Sequence, residues 1–160
     1  MTLTWDVINE NAVAFSKKWE KAKNEDAQAQ EFTLEFLRVF GVTEPTKVGD
    51  FEYKVQLADG KRGEIDYLWK SKIGIEMKSR GKNLDLAFDQ LANYMRHLPH
   101  EEIPDLWMVC DFENIRLNRR STGETWDFKK KDLRKHIKKF ADIAGTHTRA
   151  FRLYFTTTCY

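Results

Sequence analysis

The side chains of this chain best placed to do chemistry fall in residues 63–82: Asp66, then Glu76 and Lys78. Glu64–Trp69 and Ile73–Lys78 each alternate polar and apolar positions around Lys70-Ser71-Lys72, which predicts a β-hairpin with a three-residue connection. Ile73, Ile75 and Met77 then point one way, Glu76 and Lys78 the other. Pairing centred on Ser71 sets Asp66 across from Glu76, about 5 Å away at Cβ, so that two carboxylates share one face with an ammonium. Like charges this close repel, and a divalent cation removes the conflict. An all-oxygen ligand set with room for water suits Mg²⁺ or Mn²⁺, and Lys78 beside it would stabilise negative charge on a phosphodiester during its hydrolysis. The competing account is a solvated sheet face, with Lys78 making ion pairs worth about 0–1 kcal/mol each. An Asp followed by Glu-x-Lys is a loose pattern, so the surrounding elements must decide.

Those elements have to form within 160 residues, enough for one domain with a real core. No apolar run approaches the length of a membrane span, and the N-terminus lacks a signal-peptide pattern, so a cytoplasmic protein is expected. Cys110 and Cys159 form neither a disulfide framework nor metal-ligand spacing. The net charge is only +2, but residues 1–60 carry 7 Lys/Arg against 11 Asp/Glu and residues 61–160 carry 20 against 14. The basic part begins at the hairpin, which is compatible with a polyanionic partner.

Trp5, Ile8, Ala12, Phe15, Trp19 and Ala22 predict an amphipathic helix over residues 5–23. A second helix is expected from an Asp26 N-cap to Phe40, ending at Gly41, with Phe32, Phe36, Leu37 and Phe40 apolar and Glu31 and Glu35 beside that stripe. Glu31 is a further candidate for the metal site, against a solvated reading. Residues 43–50 read as a loop, Phe51–Ala58 as a strand and Asp59-Gly60 as a hairpin turn, giving a three-stranded antiparallel meander. Arg80 and Lys82 flank Gly81 in a loop suited to phosphate contacts. Helix Leu84–His97 buries Leu84, Phe88, Leu91 and Met95, with Gln90 and Tyr94 at the margin, where they could face the site or a nucleic-acid backbone; packing at the edge of the core accounts for Tyr94 equally well. His97 and His100 match no ligand pattern and read as surface. The apolar run Leu106–Asp111 predicts a strand buried on both faces and, through a right-handed crossover, parallel to the Glu76 strand. Asn114–Asn118 is expected as an edge strand, and Glu124–Phe128 as a last short or extended segment. Lys129–Ala144 reads as a helix buried through Leu133, Ile137, Phe140 and Ile143, with Lys130, Lys131, Arg134, Lys135, Lys138 and Lys139 on a phosphate-seeking outer face. From Gly145 the pattern fails, and Thr146–Tyr160 reads as a tail foreign to the fold or disordered.

Taken in order, Gln30-Glu31-Phe32, Phe40-Gly41, Gly63-Glu64-Ile65-Asp66, Ile75 to Gly81, Gln90 to Tyr94, Val109 to Phe112, and Trp126-Asp127-Phe128 before Asp132-Leu133 resemble the PD-(D/E)xK nuclease superfamily. Within it they are most similar to the N-terminal domain of the MmeI-like, Type IIL restriction–modification enzymes. The resemblance spans about residues 28–145. It implies a mixed α/β core, an antiparallel meander plus a parallel strand between helices. It also implies Mg²⁺-dependent hydrolysis of double-stranded DNA, with Asp66 and Glu76 as metal ligands, the Met77 carbonyl as a further ligand and Lys78 as the catalytic lysine. Gln90 and Tyr94 match a helix motif of such nucleases, and Ile65 stands where the superfamily's name has proline. No Asn-Pro-Pro-Tyr-type methyltransferase motif occurs, so the expectation is a fragment or truncated form of a fused enzyme. Its methyltransferase and target-recognition parts, and S-adenosylmethionine binding, would lie elsewhere. A homodimer is compatible with this reading. Two alternatives stay open: a non-catalytic module of the same fold that binds DNA or a partner, and a stand-alone resolvase or repair nuclease.

Overall fold

The computed structural model describes residues 3–144, so the expectations for Cys159 and for the tail from residue 146 lie outside the described residues. A six-stranded mixed sheet runs in the order β1 (Asp50–Gln56), β2 (Arg62–Trp69), β3 (Ile73–Met77), β4 (Leu106–Cys110), β5 (Asn114–Arg119) and β6 (Thr125–Lys129). Only β3 and β4 are parallel, and every other neighbouring pair is antiparallel. Helices α1 (Trp5–Lys18) and α2 (Glu25–Val39) cover one face with a dense core of Phe15, Phe32, Phe36, Phe40, Phe112 and Phe140. A short α3 (Pro45–Val48) leads into β1, and α4 (Leu84–Arg96) covers the other face through Leu91 and Met95 against Ile65, Leu68 and Val109. No helix among the described residues is long and apolar enough to cross a membrane.

The predicted hairpin forms as expected. Tyr67 pairs with Ile75 and Trp69 with Ile73, and Ser71 takes the left-handed conformation (φ 63°) that closes the three-residue connection. Strict alternation fails at one point. Phe51 and Tyr67 face the α1/α2 core, while Tyr53 and Ile65, two residues away on each strand, join the α4 core. The side chains switch faces at Glu52 and Asp66: Glu52 has φ 52°, and the β1–β2 ladder omits their pair.

Several segments differ from expectation. The second helix starts at Glu25 after Asn24 in the N-cap position, so Asp26 lies in its first turn and is not its cap, and residues 43–50, expected as a loop, hold α3 and the first residue of β1. The first helix stops at Lys18, with Trp19 as its C-cap, short of the expected residue 23. Residues 129–144 are not one α-helix but β6's last residue followed by two 3-10 runs, Lys130–Lys135 and Ile137–Ile143, broken at His136. Ile137, Phe140 and Ile143 recur every three residues, the spacing that aligns on one face of a 3-10 helix. β5 is not an edge, since β6 pairs along it from Asn114–Lys129 to Asn118–Thr125.

Candidate active site at the end of the central hairpin

Glu76 lies on β3, all of whose residues are buried, and faces α4. Only 4% exposed, it accepts a hydrogen bond from Lys78 Nζ at 3.2 Å through Oε1, while Oε2 has no hydrogen-bond partner. A buried carboxylate oxygen left without a donor costs free energy, which a purely structural site would avoid. Asp66 sits in the gap between β2 and β3. Its Oδ2 accepts the Met77 N–H at 2.7 Å, in the place where the ladder beyond Tyr67–Ile75 would continue. The two acids are therefore neighbours in the predicted register, but Asp66 lies in the plane of the sheet instead of beside Glu76 on the α4 face. It opens toward a cleft of about 400 Å³ with Glu25, Gln30, Thr33 and Glu52, whereas Glu76 lines one of about 480 Å³ with Lys54, Arg62, Gln90 and Tyr94; Glu64 borders both.

Burial first, and then the Asp66 charge, push the Glu76 carboxyl up to about 8, against the pull of Lys78 and, more weakly, of the Asp66 backbone N–H. Burial likewise pushes Asp66 up to about 6, with the Met77 N–H opposing and the Glu25 charge adding to the rise. Lys78 is held above the usual lysine range: burial works against its charge, but the nearby Glu76, Glu25 and Asp66 outweigh that. Two acids and a lysine thus share one electrostatic environment with more negative charge than the site neutralises. The oxygen of Glu76 that lacks a hydrogen-bond partner is a donor of the kind a hard divalent cation takes, and the further oxygens such an ion would need here are those of Asp66 and the Met77 carbonyl, with water completing its shell. Among the described residues no group of three or more His, Cys, Asp or Glu side chains converges on a metal position.

The remaining nominated residues divide sharply. Gln90 and Tyr94 lie on the wall of the Glu76 cleft, where Gln90 donates to the Tyr94 hydroxyl at 2.9 Å. The Tyr94 ring lies so close over Gly63 that a Cβ there would meet it at 2.4 Å, so glycine is what lets α4 approach β2. Lys82 is exposed and lines neither cleft. Glu31 is exposed near Lys18 and absent from the Asp66 cleft; the α2 acids that line that cleft are Glu25 and Asp26, in the helix's first turn. Arg80 is a bolt between segments, donating to the carbonyls of Glu20 at 2.9 Å and Ala22 at 2.9 and 3.2 Å. Lys130 is buried at 4% exposure and donates to the carbonyls of Trp19 at 2.5 Å and Ser16 at 3.4 Å, so the uniform basic face expected there does not exist. Lys130 satisfies carbonyls left open at the end of α1, a task favoured by the helix dipole, and Arg80 those of the turn that follows it. Lys131 and Arg134 are exposed on the segment packed against α1, outside both clefts. His97 and His100 are exposed, as read from the sequence. Glu25, Lys54 and Arg62 were missed. Lys54 and Arg62 carried a signal, since alternation on the β1–β2 hairpin places both near its turn, whereas nothing local marked Glu25.

Comparison with curated proteins gave no match. Among solved structures, a chain of the cryoEM structure of the DrdV–DNA complex shares the fold: TM-score 0.58 and 14% identity over 86% of this chain and 14% of that one. The chain thus spans about one seventh of that relative's length. The family model of the MmeI N-terminal domain matches residues 10–153, which covers the hairpin, both clefts and all of the sheet. On that match the chain belongs to the MmeI N-terminal domain family.

Proposed function

We propose that this domain hydrolyses DNA phosphodiesters, as the nuclease part of a restriction–modification enzyme, with Mg²⁺ or Mn²⁺ held by Asp66, Glu76 and the Met77 carbonyl. The observation that carries the reading is the buried, partnerless Oε2 of Glu76 between Lys78 and Asp66. A cation bound there would neutralise both acids and lower the pKa of a water beside it. Lys78 orients Glu76 through their 3.2 Å contact and presents its ammonium to charge developing on the phosphate. Exposed Lys54 and Arg62 on the rim of the Glu76 cleft, with Lys82, take the place of Arg80 and Lys130 as contacts to the DNA backbone. Gln90 and Tyr94 form the opposite wall. Double-stranded DNA is the substrate, and the choice of sequence together with S-adenosylmethionine chemistry belongs to other parts of such an enzyme.

Incubation of the chain with supercoiled plasmid and Mn²⁺ or Mg²⁺ tests the reading. Cutting that disappears in both Glu76→Ala and Lys78→Ala is the expected result; cutting retained by Lys78→Ala at the parent rate overturns it. A second reading, a module that binds DNA or a partner without cutting, is favoured by the lack of a third converging acid among the described residues. Calorimetric titration separates the two. Mn²⁺ binding lost on Glu76→Ala supports the nuclease, and no heat from the parent protein supports the binding module.

A further inference from the structure

The segment leaving β3 is bound to the α1–α2 junction residue by residue. Helix α2 starts at Glu25, yet the Asn24 side chain in the N-cap position makes no capping bond. Gln28 Oε1 accepts the Asn24 N–H at 3.2 Å, and the Glu25 N–H is capped by a residue 54 positions away: Ser79 Oγ accepts it at 3.3 Å, and Glu25 Oε2 accepts the Ser79 N–H at 3.0 Å. This is the reciprocal pattern of a capping box, normally made within four consecutive residues and here made between two chain segments. The next residues continue the attachment. The Arg80 N–H donates to the Lys23 carbonyl at 3.1 Å, the Arg80 guanidinium holds the Glu20 and Ala22 carbonyls, and the Gly81 N–H donates to buried Asp111 at 3.3 Å. On the other side of Ser79, the Lys78 N–H donates to the Cys110 carbonyl at 2.8 Å. The backbone carrying Lys78 is thus pinned to β4 before the side chain and to α2 immediately after it.

We infer that Ser79 and Glu25 are positioning residues for Lys78: their reciprocal bonds hold the end of β3 so that the ammonium stays on Glu76 and the gap filled by Asp66. This rests on the nuclease reading above for its consequence, but not for its geometry. Lys78 is a long side chain with several rotatable bonds, only half-buried, and its direct anchor is the one contact to Glu76. Fixing its backbone is what removes the remaining freedom, and small displacements of a reacting group are expensive in rate. Glu25 is well chosen for the task, because its carboxylate both accepts the Ser79 N–H and places negative charge near Lys78.

The test compares Ser79→Ala and Glu25→Ala with the conservative pair Ser79→Thr and Glu25→Gln, which retain the hydroxyl and the acceptor oxygen. Two readouts are taken on the full chain: single-turnover plasmid cleavage with Mn²⁺, and carbon NMR relaxation at Lys78 Cε. The alanine variants are expected to loosen Lys78 Cε and to slow cleavage about tenfold at unchanged DNA affinity, with the conservative variants close to the parent. Relaxation of Lys78 Cε unchanged in a folded Ser79→Ala protein overturns the inference, and that variant decides the matter alone should Glu25→Ala not fold. If the parent cuts no DNA while Lys78 Cε loosens as expected, the nuclease reading fails and the clamp stands.

Discussion

Glu76 and the neighbouring Asp111–Lys130 region both bury charge at the same end of the sheet, and they treat it in opposite ways. Asp111, 2% exposed, follows β4 directly and accepts from the backbone of Gly81, Glu113 and Asn114 and from the Asn114 amide. Lys130 spends its charge on two carbonyls at the end of α1. Both are groups whose burial is compensated, and both join segments far apart in sequence. Glu76 is buried to the same degree but has one oxygen with no donor, beside a second acid that raises its pKa. Burial alone does not mark a functional group. What separates the two regions is whether the folded chain completes the hydrogen bonding of the group it buries.

Substitutions in the two regions should have opposite consequences. The largest effect is expected on cleavage: Lys78→Ala or Glu76→Ala reduces single-turnover plasmid cutting by about 10²–10³-fold or more while far-UV circular dichroism stays that of the parent. On stability the order reverses. Lys130→Met leaves the Trp19 and Ser16 carbonyls without their donor and lowers unfolding free energy in urea by about 2–3 kcal/mol, whereas Glu76→Gln leaves it unchanged or raises it by about 1 kcal/mol. Equal losses in the two variants would mean that the chain compensates both buried charges alike.

A third expectation concerns pH. The folded-state pKa of Glu76 is raised from 4.5 to about 8, so the folded protein keeps a proton that the unfolded chain releases. Its contribution to stability is fully present below about pH 4.5 and is lost as pH rises through about 8, with Asp66 adding the same sign up to about 6. Thermal melts without divalent cation should fall across this window, and Mg²⁺ should shrink the fall by binding the deprotonated pair. A slope that Mg²⁺ leaves untouched would argue against a cation at these acids. The smallest effect is expected at Glu31, exposed and outside the cleft: Glu31→Gln changes stability by less than about 0.5 kcal/mol and leaves cleavage at the parent rate.

Most of the architecture was legible because it depends on local pattern. Alternation around Lys70-Ser71-Lys72 predicted both the hairpin and its register, and the unbroken apolar run before Asp111 predicted the buried parallel strand. The terminal segment was misread because Leu133, Ile137, Phe140 and Ile143 suit an α-helical stripe almost as well as the 3-10 runs that form. The cations were harder to read. A lysine or arginine in a basic stretch has the same local signature whether it meets solvent or a helix end, and only packing of α1 against the last segments distinguishes Lys130 from Lys131.

The order of residue types along the chain was thus sufficient to nominate Asp66, Glu76 and Lys78 and to bring them to one end of one hairpin, since strand periodicity and turn length are properties of contiguous residues. Tertiary structure alone decided that Asp66 turns into the sheet plane at the twist beside Glu52, that Glu25 and not Glu31 reaches it, and that Ser79, Arg80 and Lys130 tie distant segments together. Those outcomes depend on which orphaned backbone groups and which charges meet once the helices dock, and no local pattern encodes partners that lie 54 or 111 residues away.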